Sequence, residues 1–399
     1  MGAPLEHFPR DVTAEPSASQ EGRASPPATQ RVRDLPMLDG LRAVAALLVI
    51  LTHSGFLTGT YAAGPLGSAL ARMDFGVALF FCLSGFLLSR PHVAAANGTA
   101  PPRPVRRYAL HRFVRIVPAY WVALIAVVVF MDHARTTSAI ASNVLMTQVY
   151  TGDLLPGFTQ TWSICTEVAF YVALPILGVW VFRGCDNSLR AALVRLALLA
   201  GIALVWTGLA TGDLLPWGIK SGQWLPGHLD WFAVGMLLAL AEPLAPRGDA
   251  RTASVSTLLR YPGTLLGFAA ALWVVTMTTL GGPLSLEQGS PAQAISKEVL
   301  YAVAALIIVG VGAFSSVATS PMRLLATPPM RWLGRISYAI FLWHLLVLHG
   351  VINAMGIGEF SGGFVVVSLT TVAVTVVIAW ASWLLVEGPL LRKVGGRTR

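Results

Sequence analysis

The chain has 399 residues, 55% of them hydrophobic and only 12% charged, with a formal net charge of +9 at pH 7. Together with a mean hydropathy of +0.67, that balance excludes an ordinary soluble domain. The excess of basic residues follows loop topology, as set out below, and so is not a sign of nucleic-acid binding.

Residues 1–36 are rich in Pro, Ala, Ser and charge and contain no apolar run. They match neither a signal peptide nor a folded domain, which predicts a disordered cytoplasmic arm. From residue 37 to 391, apolar segments of about 20 residues recur, the length that crosses a hydrocarbon core of about 30 Å as a helix. Their centres fall near Ala46, Phe81, Ala126, Tyr171, Ala200, Val234, Ala271, Leu306, Leu345 and Val376. The fold class that follows is an all-α integral membrane protein with ten transmembrane helices in a single membrane domain, and a basic tail over 392–399.

The loops give the orientation. With both termini in the cytoplasm, 24 of the 28 Lys and Arg residues lie on the inner side, leaving Arg72, Arg135, Lys220 and Lys297 outside. This is the expected positive-inside bias, and removing one span would scramble it. The protein is therefore expected to be a multi-pass protein of the cell membrane, with the lipid bilayer as its first partner.

The first span contains Arg42 and His53, and intramembrane ionisable residues are functional candidates by default. Eleven positions return them to nearly the same helix face, about 16 Å apart along the axis. A cationic anchor and a titratable imidazole so spaced can hold a long phosphorylated substrate between them. The third span is entered through Arg103 to Tyr120, which includes Arg106, Arg107, Arg112 and Arg115. Two readings stand: an interfacial helix touching anionic lipid, or guanidinium forks that grip phosphate, as coenzyme A would require.

Near the outer end of the fourth span, Thr161 to Tyr171 place Glu167 inside the apolar region. A buried carboxylate needs a partner. It can orient and charge-stabilise His53, or anchor helix packing through Trp162, Ser163 or Tyr171. His344 in the ninth span reads first as a packing or hydrogen-bonding histidine. Ser84, Gly85, Gly334 and Ser337 are expected to let helices approach closely. Cys82, Cys165 and Cys185 lack metal-ligand spacing and are expected to be free thiols, and the histidines form no metal site. No phosphate-binding glycine loop, dinucleotide fingerprint or nucleophile elbow is present.

Several stretches occur in order: Leu38-Asp39-Gly40-Leu41-Arg42 with His53, Phe80 to Leu87, Arg112 to Trp121, Trp162-Ser163 with Glu167 and Tyr171, Gly334 to Tyr338 with Leu342-Trp343-His344, and Val386-Glu387-Gly388-Pro389. This ordered set resembles the membrane acyltransferase-3 family of integral-membrane O-acyltransferases. The resemblance implies transfer of an acyl group, usually acetyl from acetyl-CoA, to a hydroxyl of a glycan, glycolipid or glycosylated natural product. Acyl-CoA is then a co-substrate rather than a bound cofactor. The family's functional positions match Arg42, His53, Arg112 and Arg115, with Arg106 and Arg107 nearby. Many members carry an acidic residue where Gly76-Val77 is followed here by Ala78, although Asp74 is close in sequence. The chain stops soon after the tenth span, so the C-terminal esterase-like domain of some members is expected to be absent.

On this reading Arg42 and the span-three arginines hold the CoA phosphates at the cytoplasmic face. His53 takes the proton of the acceptor hydroxyl, or else forms a transient acyl-histidine, and Glu167 is the candidate that orients it. A proton-coupled transporter remains the alternative from a different class. Envelope glycans or glycolipids and macrolide-type acceptors both stay open.

Overall fold

The computed structural model describes residues 2, 35–62, 64–131, 136–185, 188–244, 261–284, 287, 289–318 and 320–396. The expected N-terminal arm falls almost wholly outside the described residues, as do residues 397–399 of the tail. No strand occurs among the described residues.

Every expected span centre falls on a helix. Among the described residues, the ten helices that carry the expected centres are, in chain order, α1 (Pro36–Leu57), α2 (Phe75–Ala96), α3 (Val105–Phe130), α4 (Trp162–Phe182) and α5 (Leu189–Thr211). They continue as α6 (Leu229–Ala241), α7 (Pro262–Val275), α8 (Pro291–Phe314), α9 (Ser337–Ala354) and α10 (Phe364–Ser382). Eight are long and apolar enough to cross a membrane, and α6 and α7 are shorter. Sequence explains part of the difference. Asp230 opens α6 and Glu242-Pro243 ends its apolar run, while Thr276 closes α7 with its carbonyl taken by the Arg72 Nε–H at 2.7 Å.

Among the long spans α1, α2 and α9 are the most enclosed and α5 and α10 the most exposed, and the short α6 is buried over most of its length. On α5 the exposed Val194, Leu198, Ile202 and Val205 recur at helical spacing. Such an apolar outer face suits lipid rather than water. The enclosed helices meet where side chains vanish. A Cβ on Gly85 would stand 2.2 Å from the Phe232 carbonyl oxygen, and one on Gly235 would stand 2.1 Å from that of Cys82. α2 and α6 therefore pack backbone against backbone, as small residues permit within membranes.

A similar contact seats the start of α1. The short helix Pro328–Arg335 lies beside it, and a Cβ at Gly334 would stand 1.8 Å from the Asp39 carbonyl oxygen. Arg331 adds an ion pair to Asp39 at 3.6 Å. Gly334→Ala should therefore lose at least the roughly 1–3 kcal/mol typical of overpacking. Gly350→Ala in α9, where an added methyl meets nothing within 4 Å, should be neutral or stabilising because alanine favours helix. Thermal unfolding in detergent checks both, and equal melting temperatures for the two variants would contradict this packing.

Candidate active site

Two cavities lie along the axis of α1, one at Arg42 and one at His53. The smaller, about 40 Å³, is lined by Arg42, Arg115, Glu167, Tyr171, Phe80 and Phe341 among others. Helix periodicity explains why Arg115 reaches it. Arg112 and Arg115 are three residues apart and share the inward side of α3, where the Arg112 guanidinium lies 5.6 Å over the Tyr171 ring. Hydrogen bonds fix the surrounding frame. Tyr108 donates to the Tyr171 carbonyl at 3.0 Å, joining α3 to α4, and Tyr338 donates to the Ile116 carbonyl at 2.9 Å, joining α9 to α3.

Charge around this cavity is unbalanced. Arg42, Arg112 and Arg115 gather near Glu167, the one carboxylate among the described residues of the cavity wall, which accepts hydrogen bonds from the Ser84 and Tyr171 hydroxyls. The Nε atoms of Arg42 and Arg112 are buried without a hydrogen-bond partner. Buried donors left unpaired are costly, and guanidinium groups in excess of carboxylates create a site suited to an anion. Arg106 and Arg107 do not contribute, being exposed on the first turn of α3 and absent from the cavity wall.

The larger cavity, about 740 Å³, is lined by His53, Phe56, Tyr61, Asp74, Trp162 and Lys297 among others. His53 Nδ1 lies 2.8 Å from the Val49 carbonyl oxygen and 3.2 Å from Nε2 of His344. His344 is fully buried, and its Nδ1 lies 2.6 Å from the Phe341 carbonyl oxygen. Only one proton arrangement of the neutral pair satisfies all three contacts. His344 Nδ1–H donates to Phe341, leaving its Nε2 as an acceptor. His53 Nδ1–H is then shared between Val49 and His344. The lone pair of His53 consequently sits on Nε2, the nitrogen that makes none of these bonds.

A polar frame supports the wall opposite. Arg72, buried, donates to the carbonyls of Thr276, Gly281 and Gly282. Asp74 accepts from the Tyr301 hydroxyl and pairs with Lys297 Nζ at 2.6 Å. Arg72 and Lys297 thus tie the segment after α7 and the start of α8 to the start of α2. In sequence they stood out only as two of the few basic residues outside the cytoplasm.

The sequence-derived candidates are therefore divided. Arg42, Arg115 and Glu167 line the small cavity, Arg112 lies behind its wall over the Tyr171 ring, and His53 stands on the large one. Glu167 shares no hydrogen bond with His53. Of the two roles open to it, the contact with Tyr171 is present, and the place beside the His53 imidazole is taken by His344. Val77 is the one described residue that lines both cavities, so it stands between them.

The acyltransferase domain of the acyltransferase-3 family matches residues 35–385. The Bacillus subtilis protein YrhL, provisionally named a peptidoglycan O-acetyltransferase, is 26% identical over 385 residues, covering 91% of this chain and 56% of its own. The peptidoglycan O-acetyltransferase OatA of Listeria monocytogenes is 22% identical over 380 residues, covering 90% and 56%. The acyltransferase MdmB of Streptomyces mycarofaciens is 31% identical over 161 residues, covering 37% and 40%. The chain thus spans little more than half the length of YrhL or OatA. No solved structure matches it. The chain belongs to the acyltransferase-3 family and is an all-α membrane protein.

Proposed function

We propose that the protein is a membrane-bound O-acyltransferase that moves an acyl group, acetyl in the simplest case, from acyl-CoA to a hydroxyl of a cell-envelope glycan or glycolipid. The observation that carries this reading is an arginine-lined cavity and a histidine-lined cavity along one helix, with Val77 in the wall of both. The phosphates of CoA suit the guanidinium groups of Arg42 and Arg112, whose Nε–H donors lack a partner, together with Arg115, and the pantetheine arm runs along α1 toward His53. The positive-inside bias of the loops supports placing the arginine cavity on the cytoplasmic side. Glu167, held by Ser84 and Tyr171, partly offsets the arginine charge. The larger cavity has the size of a small-molecule site, and its Phe56, Tyr61 and Trp162 offer flat apolar faces to a sugar ring. Two relatives named for peptidoglycan O-acetylation support a glycan acceptor.

In this reading His53 Nε2 takes the proton from the acceptor hydroxyl as its oxygen attacks the thioester carbonyl. The carbon–sulfur bond then breaks, and the departing thiolate recovers the proton from the imidazolium. His344 acts as a positioning residue. Its Nε2 accepts from His53 Nδ1–H, holds the reactive tautomer and favours the cation that forms. Losing a hydrogen bond to a charged group is worth about 1.5–3 kcal/mol, so His344→Ala should lower kcat roughly 10- to 100-fold. The donor KM should hold. His344→Gln, whose carbonyl can still accept, should recover part of the loss. Equal damage in both variants, or a change confined to KM, would remove His344 from this role.

The direct test is thiol release from acetyl-CoA by the purified full chain, with peptidoglycan fragments, glycolipids and a macrolide offered as acceptors. Acceptor-dependent thiol release matched by ester formation is expected. A protein that neither binds nor consumes any acyl-CoA overturns the proposal and moves proton-coupled transport to the front.

A further inference from the structure

We propose that Val77 is a fixed neck that selects donors by the cross-section of the acyl group rather than by its length. This rests on the donor path proposed above, in which the thioester must pass from the arginine cavity to His53. Val77 is buried at 8% exposure and is the one described residue shared by the two cavity walls.

The neck is rigid for a reason visible at its neighbour. A Cβ on Gly76 would stand 2.4 Å from the Ala45 carbonyl oxygen and 3.0 Å from Val49 Cγ2, so the backbones of α1 and α2 already touch there. Ala45 and Val49 lie between Arg42 and His53 on α1, which places this contact along the donor's route. The helices cannot approach further, and the aromatic side chains near Val77 have little freedom to yield. Phe81 stacks on Phe232 with ring centroids 4.5 Å apart, and Phe80 meets Phe341 edge to face at 5.8 Å. Valine adds its own stiffness, since a β-branched side chain in a helix keeps essentially one χ1 rotamer. The size of residue 77 therefore sets the aperture.

The consequence is specific. A straight acyl chain has the same cross-section as the cysteamine end of the pantetheine arm that precedes it, so any neck that admits the arm admits acetyl or butyryl. Branching at the carbon next to the carbonyl widens the group. Isobutyryl should be held back in the wild-type protein although it is no longer than butyryl.

The test compares acetyl-, butyryl- and isobutyryl-CoA in the wild type, Val77→Ala, Val77→Ile and Val77→Phe, with acceptor fixed. A methylene in an apolar site is worth roughly 10- to 200-fold in kcat/KM, so Val77→Ala should raise the isobutyryl-to-butyryl ratio at least tenfold. Val77→Ile should depress all three donors, and Val77→Phe should block them. Adenosine 3′,5′-bisphosphate, which carries two of the three CoA phosphates and no arm, should bind the wild type and every variant alike. A variant that has lost this binding is misfolded, and the inference then stands or falls on the remaining substitutions. An unchanged isobutyryl-to-butyryl ratio in a folded Val77→Ala, or full turnover in a folded Val77→Phe, overturns the neck. Absence of any turnover in the wild type would instead defeat the acyltransferase reading itself, so the two failures are distinct.

Discussion

Replacing His53 by alanine should lower kcat by about 10²- to 10⁴-fold, the contribution of a placed general base, with the donor KM and the melting temperature close to wild type. The structure gives three reasons. His53 stands on the wall of the larger cavity, so the loss falls where the acceptor hydroxyl would lie. Its Nδ1 is committed to Val49 and His344, which leaves Nε2 as the reactive nitrogen. And it packs beside a cavity rather than filling the core, so truncation enlarges existing space instead of opening a new void. His53→Gln is the sharper version, since it keeps polarity and bulk without a basic nitrogen. An active His53→Gln protein would exclude both general-base and acyl-histidine mechanisms.

The helices were legible in the sequence because spanning length is a property of composition alone. Each of the ten expected centres lies on a helix, and the error is confined to the extents of α6 and α7. Arg42 and His53 were legible for a related reason: both lie on one helix, so their spacing fixes their geometry. The pairing of His53 with His344 was not. It joins positions 291 residues apart, and no local pattern at Trp343-His344 announces which helix the ring will face. The division of the basic stretch was legible in principle. At about 100° per residue, Arg106 lies nine positions and half a turn of the helical wheel from Arg115, so the two cannot share a face. Counting charges grouped them, whereas periodicity separates Arg106 from Arg115; Arg107, eight positions from Arg115 and only about 80° around the wheel, is set apart by its place on the exposed first turn. Glu167 shows the opposite limit. Its contact with Tyr171, one turn away on the same helix, was within reach of the sequence, whereas the bond from Ser84 of α2 was not.

Arg42→Ala should raise the donor KM about 10- to 100-fold while leaving kcat at saturating donor nearly unchanged, the reverse of the His53 pattern. The magnitude is that of a charge-assisted hydrogen bond, about 1.5–3 kcal/mol. The direction follows from position, because Arg42 lines the small cavity, about 16 Å along α1 from the imidazole and remote from the reacting atoms. Arg42→Lys should rescue only in part, since an ammonium keeps the charge but not the planar fork that meets a phosphate with two hydrogen bonds. Arg115→Ala should behave like Arg42→Ala. The double variant should show less than the product of the two losses if both guanidinium groups grip one phosphate, and the full product if they grip different ones. Arg106→Ala and Arg107→Ala, exposed at the start of α3, supply the control and should leave donor KM within about twofold. Initial rates over a donor titration decide the matter. A KM that rises with Arg106 or Arg107 and not with Arg42 would move the phosphate site out of the cavity and onto the membrane surface, and would remove the need for the donor to pass Val77 at all.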